Sequence, residues 1–348
     1  MKTKTAVITG ITGQDGFYLT SLLLSKGYVV VGLVRRTSMP TDQRISQIKH
    51  QNLFLVEGDL TDIMSIYRIV KDYQPDEFYH LGAQSHVGES FKTPISTLEI
   101  NGIGTLNCLE AIRNVKPDTK FYFAGSSEMF GNHLSDEYSE NRNIIVPLDE
   151  KSPMTARSPY GASKIYGYHI TKNYREAYGM FAAAGILFNH SSPIRGETFV
   201  SRKITMGVAD IMDGKTDKLA LGNLDASRDW FFAGDAVRAM YEILQQDVPD
   251  DFVIAMGQDY SIRHFLDIAF GYVELDWKKY VTIDQKFFRP SELYTLVGDA
   301  DKAHRILGWK PTISFDTMVE MMVRYDMAAP DDKRKLIGDE LLKGEQNG

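Results

Sequence analysis

Residues 10–16 read Gly10-Ile-Thr-Gly-Gln-Asp-Gly16, three glycines at a spacing of three. They sit between a short apolar run at 4–9 and a helical pattern carrying Phe17, Leu19, Leu22, Leu23 and Leu24. Nothing else in the chain restricts its fold as strongly. Glycines at this spacing permit a tight turn, close approach of backbone to a pyrophosphate, and close packing of helix on strand. The helix N-terminus then offers free N–H groups and a favourable dipole. Gly27 closes the helical pattern and 28–34 reads as a second strand, so residues 4–34 form a βαβ unit. Gly10, Thr12, Gly13, Gln14, Asp15 and Gly16 are thus expected to cradle a dinucleotide. The plainer alternative is a structural turn.

The alternation continues. Strands are expected at 52–57, 77–81, 120–124, 182–188 and 251–255, with helices near 61–73, 97–115 and 160–178. Apolar strands alternating with helices predict a Rossmann-type, doubly wound parallel α/β sheet covered on both faces. The chain has 348 residues, more than the ~100–200 of a usual domain. The expected division is a dinucleotide-binding domain at 1–189, with sheet elements returning near 230–256, a smaller C-terminal α/β substrate lobe at 190–330, and a polar tail at 331–348.

The end of the second strand bears on the dinucleotide. An acid there suits a ribose 2′-hydroxyl, but this chain has Arg35-Arg36-Thr37-Ser38. Two guanidiniums suit a 2′-phosphate and point to NADP; two solvated arginines are the alternative. Asp59 and Leu60 follow the third strand and are placed to meet the adenine. Leu81, Ala83 and Ser85 follow the fourth and should lie along the middle of the cofactor.

Composition excludes several classes. Net charge is −7, which argues against a general nucleic-acid surface. No run of about 18 apolar residues would span a membrane. The basic start, Met-Lys-Thr-Lys, leads into an apolar run that breaks at Gly10, unlike a signal peptide. The one cysteine, Cys108, has no intramolecular partner and favours a reducing compartment, so a cytoplasmic protein is expected. Cys108 is either a core thiol or a nucleophile. No metal site is expected.

Tyr160-Gly-Ala-Ser-Lys164 places a phenol and an ammonium on one helix face. An ammonium beside a phenol lowers its pKa and lets it act as a base. Ser126 ends the fifth strand and is placed to bond the hydroxyl that Tyr160 deprotonates. Glu128 lies two residues on. It is either a loop acid or a carboxylate that handles a proton. Beside a sugar oxidised at C4, it would take the acidic C5 proton while the C6 hydroxyl leaves as water. A glycine turn followed about 150 residues later by Tyr-x-x-x-Lys resembles the extended short-chain dehydrogenases.

Nearly the whole chain further resembles the GDP-mannose 4,6-dehydratase family, in segments 10–16, 80–87, 158–164, 186–190, 195–205, 222–230, 287–290 and 307–311. The resemblance implies a lyase that holds NADP and dehydrates a GDP-sugar. It implies catalysis by Ser126, Glu128 and Tyr160 supported by Lys164, with Ser126 standing where the family commonly has threonine. It implies His190 and Arg195 beside the cofactor. The GDP-sugar would be held by Ser85, Glu128, Asn189, Val200, Lys203, Arg228, Arg289 and Glu292. It also implies a homodimer or homotetramer. Ser191, Ile194 and Phe231 depart from the family pattern of Glu, Arg and Gly, and are expected near the sugar end of the pocket. A related GDP-sugar such as a GDP-manno-heptose, and an NADP-dependent epimerase or reductase, stay open as alternatives.

Overall fold

The computed structural model describes residues 3–37, 44–131, 146–288, 295–333 and 335–337. Ser38, Arg289 and Glu292 lie outside them.

A seven-stranded parallel sheet forms the larger part of the molecule. Its sequence is β1 (Thr5–Thr9), α1 (Gln14–Ser25), β2 (Val29–Val34), β3 (Leu53–Glu57), α2 (Ile63–Tyr73), β4 (Glu77–His80), α3 (Gly104–Val115), β5 (Lys120–Ser126), α4 (Pro159–Tyr178) and β6 (Ala182–Leu187). The strand Phe252–Ile254 adds to the outer edge of β6. In space the order is Phe252–Ile254, β6, β5, β4, β1, β2, β3, so the winding reverses between β1 and β4. That switch point is where such sheets open a crevice at the carboxyl ends of their strands. Gly10, Leu81, Glu128 and Asn189 follow β1, β4, β5 and β6 at that end.

The central strands carry apolar side chains on both faces. Ala6, Val7, Ile8, Phe78, Tyr79, Phe121, Tyr122, Phe123 and Ala182 to Ala184 are fully buried, as a sheet with helices on each side requires. Helix ends are set by local chemistry. Asp62 caps α2 by accepting from the Met64 N–H. Ser158 caps α4 by accepting from the Gly161 N–H, with Pro159 at the first helical position. Gly179, at φ 66°, ends α4 in the left-handed region.

The single helix expected at 97–115 is interrupted. Pro94–Leu98 is α-helical, Glu99–Ile103 is a π turn, and α3 follows. Such a turn admits an extra residue into the helix. Here it contains the buried Asn101, whose amide spans Gln84 and Ser163.

After β6 the chain steps into the smaller lobe. Its central strand, Ser227–Phe232, pairs with Asp259–Ser261, Thr295–Leu296 and Asn189–Ser191. Helices Val200–Met212, Ile262–Gly271 and Phe315–Met327 pack around it. The charged tail still contributes to the core, since Ile337 is 3% exposed. Cys108 is fully buried, and burial pushes its thiol well above the usual range. It is a core thiol, not a nucleophile. Among the described residues no helix is long and apolar enough to cross a membrane, and no cluster of metal-ligating side chains occurs.

Candidate active site

The glycine turn has the close contacts that its spacing predicts. A Cβ on Gly10, which sits at φ 71°, would come 2.7 Å from the Gly82 nitrogen, and one on Gly16 would come 2.5 Å from the Ile11 Cα. A Cβ on Gly13 would meet only the Gly10 carbonyl, at 3.2 Å, leaving an open cradle above the turn. Leu60 is buried beneath Gly82. Leu81 and Ala83 are half-buried and Ser85 is exposed. The Asp59 carboxylate accepts from the Thr61 N–H at 2.9 Å and hydroxyl at 2.7 Å, which shapes the turn after β3. Arg35 and Arg36 are exposed at the end of β2.

Gln14 and Asp15 also reach into the lobe. Asp15 meets His190 Nε2 at 2.9 Å, while His190 Nδ1 lies 2.8 Å from the Phe188 carbonyl. Gln14 donates to Asp15 and accepts from Ser192. Burial works against the Asp15 charge, but His190, Gln14 and Arg195 outweigh it and hold the carboxyl down to about 2. Arg195 stacks on Phe199, its guanidinium carbon 3.9 Å from the ring centroid, and its buried Nε has no hydrogen-bond partner among the described residues. A half-buried cation with an open donor beside the glycine cradle is suited to an anionic ligand. Sequence reasoning missed Arg44, which donates to the Ile194 and Thr12 carbonyls and joins lobe to turn. No motif marks it.

The strand β5 delivers Ser126 to the crevice, and a 3-10 turn, Ser127–Met129, follows. The Ser126 hydroxyl accepts from the Glu128 N–H at 3.3 Å and lowers the pKa of the neighbouring Tyr160 phenol. Glu128 is half-buried, and its charge acts on Tyr160. Three of the expected groups therefore share one site. Lys164 is 4% exposed and donates to the Ala124 carbonyl at 2.8 Å.

The expected lowering of the phenol pKa by Lys164 does not hold. Burial pushes Tyr160 up to about 12; the neighbouring Ser126 hydroxyl opposes this and the Glu128 charge adds to it. The reason is geometric. The ammonium is directed to the Ala124 carbonyl, 6.0 Å from the Tyr160 ring centroid, while the phenol is removed from water. Burial also lowers Lys164, to about 8, although Asp15 favours its charge.

Asn101 is a second residue that sequence reasoning missed. It holds the Gln84 backbone in both directions and donates to Ser163, whose hydroxyl donates to the Tyr160 carbonyl. Its only signal is the π turn, which local periodicity does not reveal.

Gly161 sets the distance between α4 and the Glu128 turn. A Cβ there would lie 2.6 Å from the Glu128 carbonyl oxygen and 2.9 Å from the Ala156 Cβ. Gly161→Ala is expected to push α4 from the Glu128 turn. The overpacking costs about 1–3 kcal/mol in a thermal or denaturant melt. A displacement near 1 Å would cost about 10²-fold in turnover. Wild-type turnover in that variant would refute the spacing role.

On the lobe side, Asn189 and Val200 are half-buried. Lys203 Nζ lies 3.3 Å from the Phe287 ring centroid. Burial and then Lys286 lower its pKa. Arg228 is buried and donates to the Ser227 carbonyl at 2.7 Å. The three departures point into the core rather than lining the pocket. Phe231 is fully buried between His190 and Trp309, Ser191 bonds Ser201, and Ile194 is 3% exposed.

Comparisons with known proteins agree with this geometry. A family model described as GDP-mannose 4,6 dehydratase matches residues 7–322. The chain is 49% identical over 345 residues to GDP-mannose 4,6 dehydratase 2 of Arabidopsis thaliana, covering 96% of this chain and 90% of the relative. Among solved structures, the dTDP-glucose 4,6-dehydratase DesIV of Streptomyces venezuelae, with NAD bound, superposes with a TM-score of 0.79 at 22% identity, covering 92% of this chain and 96% of its own. RMD of Pseudomonas aeruginosa, complexed with NADPH, superposes with a TM-score of 0.75 at 22% identity, covering 94% and 100%.

Proposed function

The chain belongs to the GDP-mannose 4,6-dehydratase family, and on that premise we propose that Ser126, Glu128, Tyr160 and Lys164 perform its chemistry with NADP as the bound cofactor. The reaction converts GDP-mannose to GDP-4-keto-6-deoxymannose. It removes water without net oxidation, so the enzyme is a hydro-lyase.

The residues present fit a nicotinamide dinucleotide. The open space above Gly13 and the Arg195 Nε, which has no hydrogen-bond partner among the described residues, would receive its pyrophosphate. DesIV carries NAD and RMD carries NADPH, so the fold accommodates either. Exposed Arg35 and Arg36, with no acid at the end of β2, favour NADP. When bound, the cofactor supplies a reversible hydride acceptor.

The chain's own groups manage the protons. Ser126 orients the C4 hydroxyl toward Tyr160, which receives its proton. Lys164, its pKa lowered to about 8 by burial, donates to the Ala124 carbonyl and so holds α4 against the strand that ends in Ser126. Glu128 takes the C5 proton made acidic by a C4 ketone. It then delivers a proton to the departing C6 hydroxyl, so the C5–H and C6–O bonds break, the C5–C6 double bond forms and water leaves. Asn189, Val200, Lys203 and Arg228, with Arg289 and Glu292, hold the GDP-sugar. The observation that carries this reading is that β5 and the turn after it bring Ser126 and Glu128 against the first turn of α4, where Gly161, next to Tyr160, meets the Glu128 carbonyl.

A cytoplasmic homodimer or homotetramer is the assembly we favour. Ile95, Leu98, Ile103 and Tyr166 are 70%, 44%, 42% and 37% exposed on adjoining helical segments, which supports a partner copy there.

Incubating the protein with GDP-mannose should yield the 4-keto-6-deoxy sugar without net consumption of NADPH. Stoichiometric NADPH oxidation would instead indicate a reductase. Replacing Arg35 and Arg36 by alanine should weaken NADP binding about 10–100-fold by calorimetry, the value of one or two charge-assisted hydrogen bonds. NAD binding should not change. Equal losses for both cofactors would remove the 2′-phosphate role.

A further inference from the structure

Asp229 lies at the joint between the sheet and the lobe. It is fully buried on the strand Ser227–Phe232, next to Arg228. Oδ1 accepts from the Met256 N–H at 2.7 Å, and Oδ2 accepts from the N–H groups of Gly257 at 2.8 Å and Gly298 at 3.2 Å. Met256 and Gly257 follow Phe252–Ile254, the outer strand of the large sheet. That strand pairs with β6, which pairs with β5 and so reaches Ser126. Gly298 follows the lobe strand Thr295–Leu296, which pairs with Ser227 and Arg228. One carboxylate therefore ties the strand bearing Arg228 to both the catalytic sheet and its own neighbour.

We propose that Asp229 is a positioning residue for GDP-mannose, its ionised carboxylate fixing the Arg228 strand against the sheet that carries Ser126 and Glu128, so that its ionisation governs substrate affinity. The proposal rests on the reading of Arg228 as a substrate cation. An ionised carboxylate accepts all three backbone N–H bonds. A protonated one turns an acceptor position into a donor, and at least one N–H loses its partner in a buried site. Burial raises the proton affinity of Asp229, Asp259 adds to it, and the three backbone donors oppose both, leaving a pKa of about 6. The charged or titratable groups that act with it are Asp259 and Tyr260 on the paired strand. The lock is thus present above about pH 6 and is lost as pH falls through that value.

The test is the KM for GDP-mannose between pH 5.5 and 7.5, where the doubly esterified diphosphate of the substrate does not titrate. The wild-type KM should rise about threefold toward the acid end, where about three-quarters of Asp229 is protonated and that form binds about tenfold more weakly, the worth of a broken buried hydrogen bond. Asp229→Asn should show a KM raised about tenfold at pH 7.5, flat across the range, with kcat at saturation within about threefold of wild type. A variant KM within about twofold of wild type at pH 7.5, even with a lowered melting temperature, would overturn the proposal and leave Asp229 a stability residue only. If Asp229→Asn does not fold, a flat wild-type KM across the same range overturns it and an acid rise supports it. Arg228→Gln separates the layers. If it leaves KM unchanged, the substrate role of Arg228 and this proposal fall together. If it raises KM while Asp229→Asn does not, the positioning role alone fails.

Discussion

Glu128→Gln is expected to lower formation of the 4-keto-6-deoxy product by about 10²–10⁴-fold, the usual contribution of a positioned acid–base group. Glutamine keeps the shape of the side chain and the backbone N–H that donates to Ser126, but it cannot receive a proton. Affinity for GDP-mannose should change by no more than a few fold. The sharper readout is isotopic. In deuterated water the wild-type enzyme should place deuterium at C5, and the variant should lose this exchange in parallel with product. Retention of wild-type turnover by Glu128→Gln, with turnover lost in Tyr160→Phe, would show that the carboxylate does not move the C5 proton. Neither proton transfer by Glu128 nor its charge would then be needed for turnover.

Tyr160→Phe should cost at least as much, about 10²–10⁴-fold in turnover. The phenol is 8% exposed and lies beside Ser126 and the Glu128 charge, and a phenylalanine in its place can neither accept nor donate a proton. Its high proton affinity, about 12, has a consequence for how the loss should divide. The ground-state protein holds Tyr160 protonated, and the group becomes a base only as its environment changes around bound ligands. GDP and cofactor affinities measured by calorimetry should therefore stay within about threefold of wild type while turnover collapses. Joint loss of cofactor binding and turnover would instead make Tyr160 a structural residue.

Some features of the chain are legible because they are local. Gly10, Gly13 and Gly16 meet their neighbours within a few residues, so spacing alone announces the turn between β1 and α1. Tyr160 and Lys164 share a helix face because a helix turns once in 3.6 residues. Strand and helix alternation follows from apolar periodicity in the same way, and with it the parallel sheet. The π turn at Glu99–Ile103 is a local feature that periodicity does not show, since one inserted residue shifts the pattern without erasing it.

Other features depend on residues far apart in the chain. Asp15 and His190 are 175 positions apart and share a hydrogen bond. Asp229 gathers N–H groups from Met256, Gly257 and Gly298. Phe231, Ser191 and Ile194 look like pocket residues beside their motif neighbours, yet packing against Trp309, Ser201 and the lobe core turns them inward.

By itself, then, the amino-acid sequence determined the doubly wound architecture, the dinucleotide turn and the identity of the groups at the site, because backbone geometry and side-chain chemistry are properties of short stretches. Only the tertiary structure decided the protonation of those groups. Tyr160 rises and Lys164 falls because every element packed over them withdraws water, and desolvation is a sum over the whole fold that no spacing of residues records.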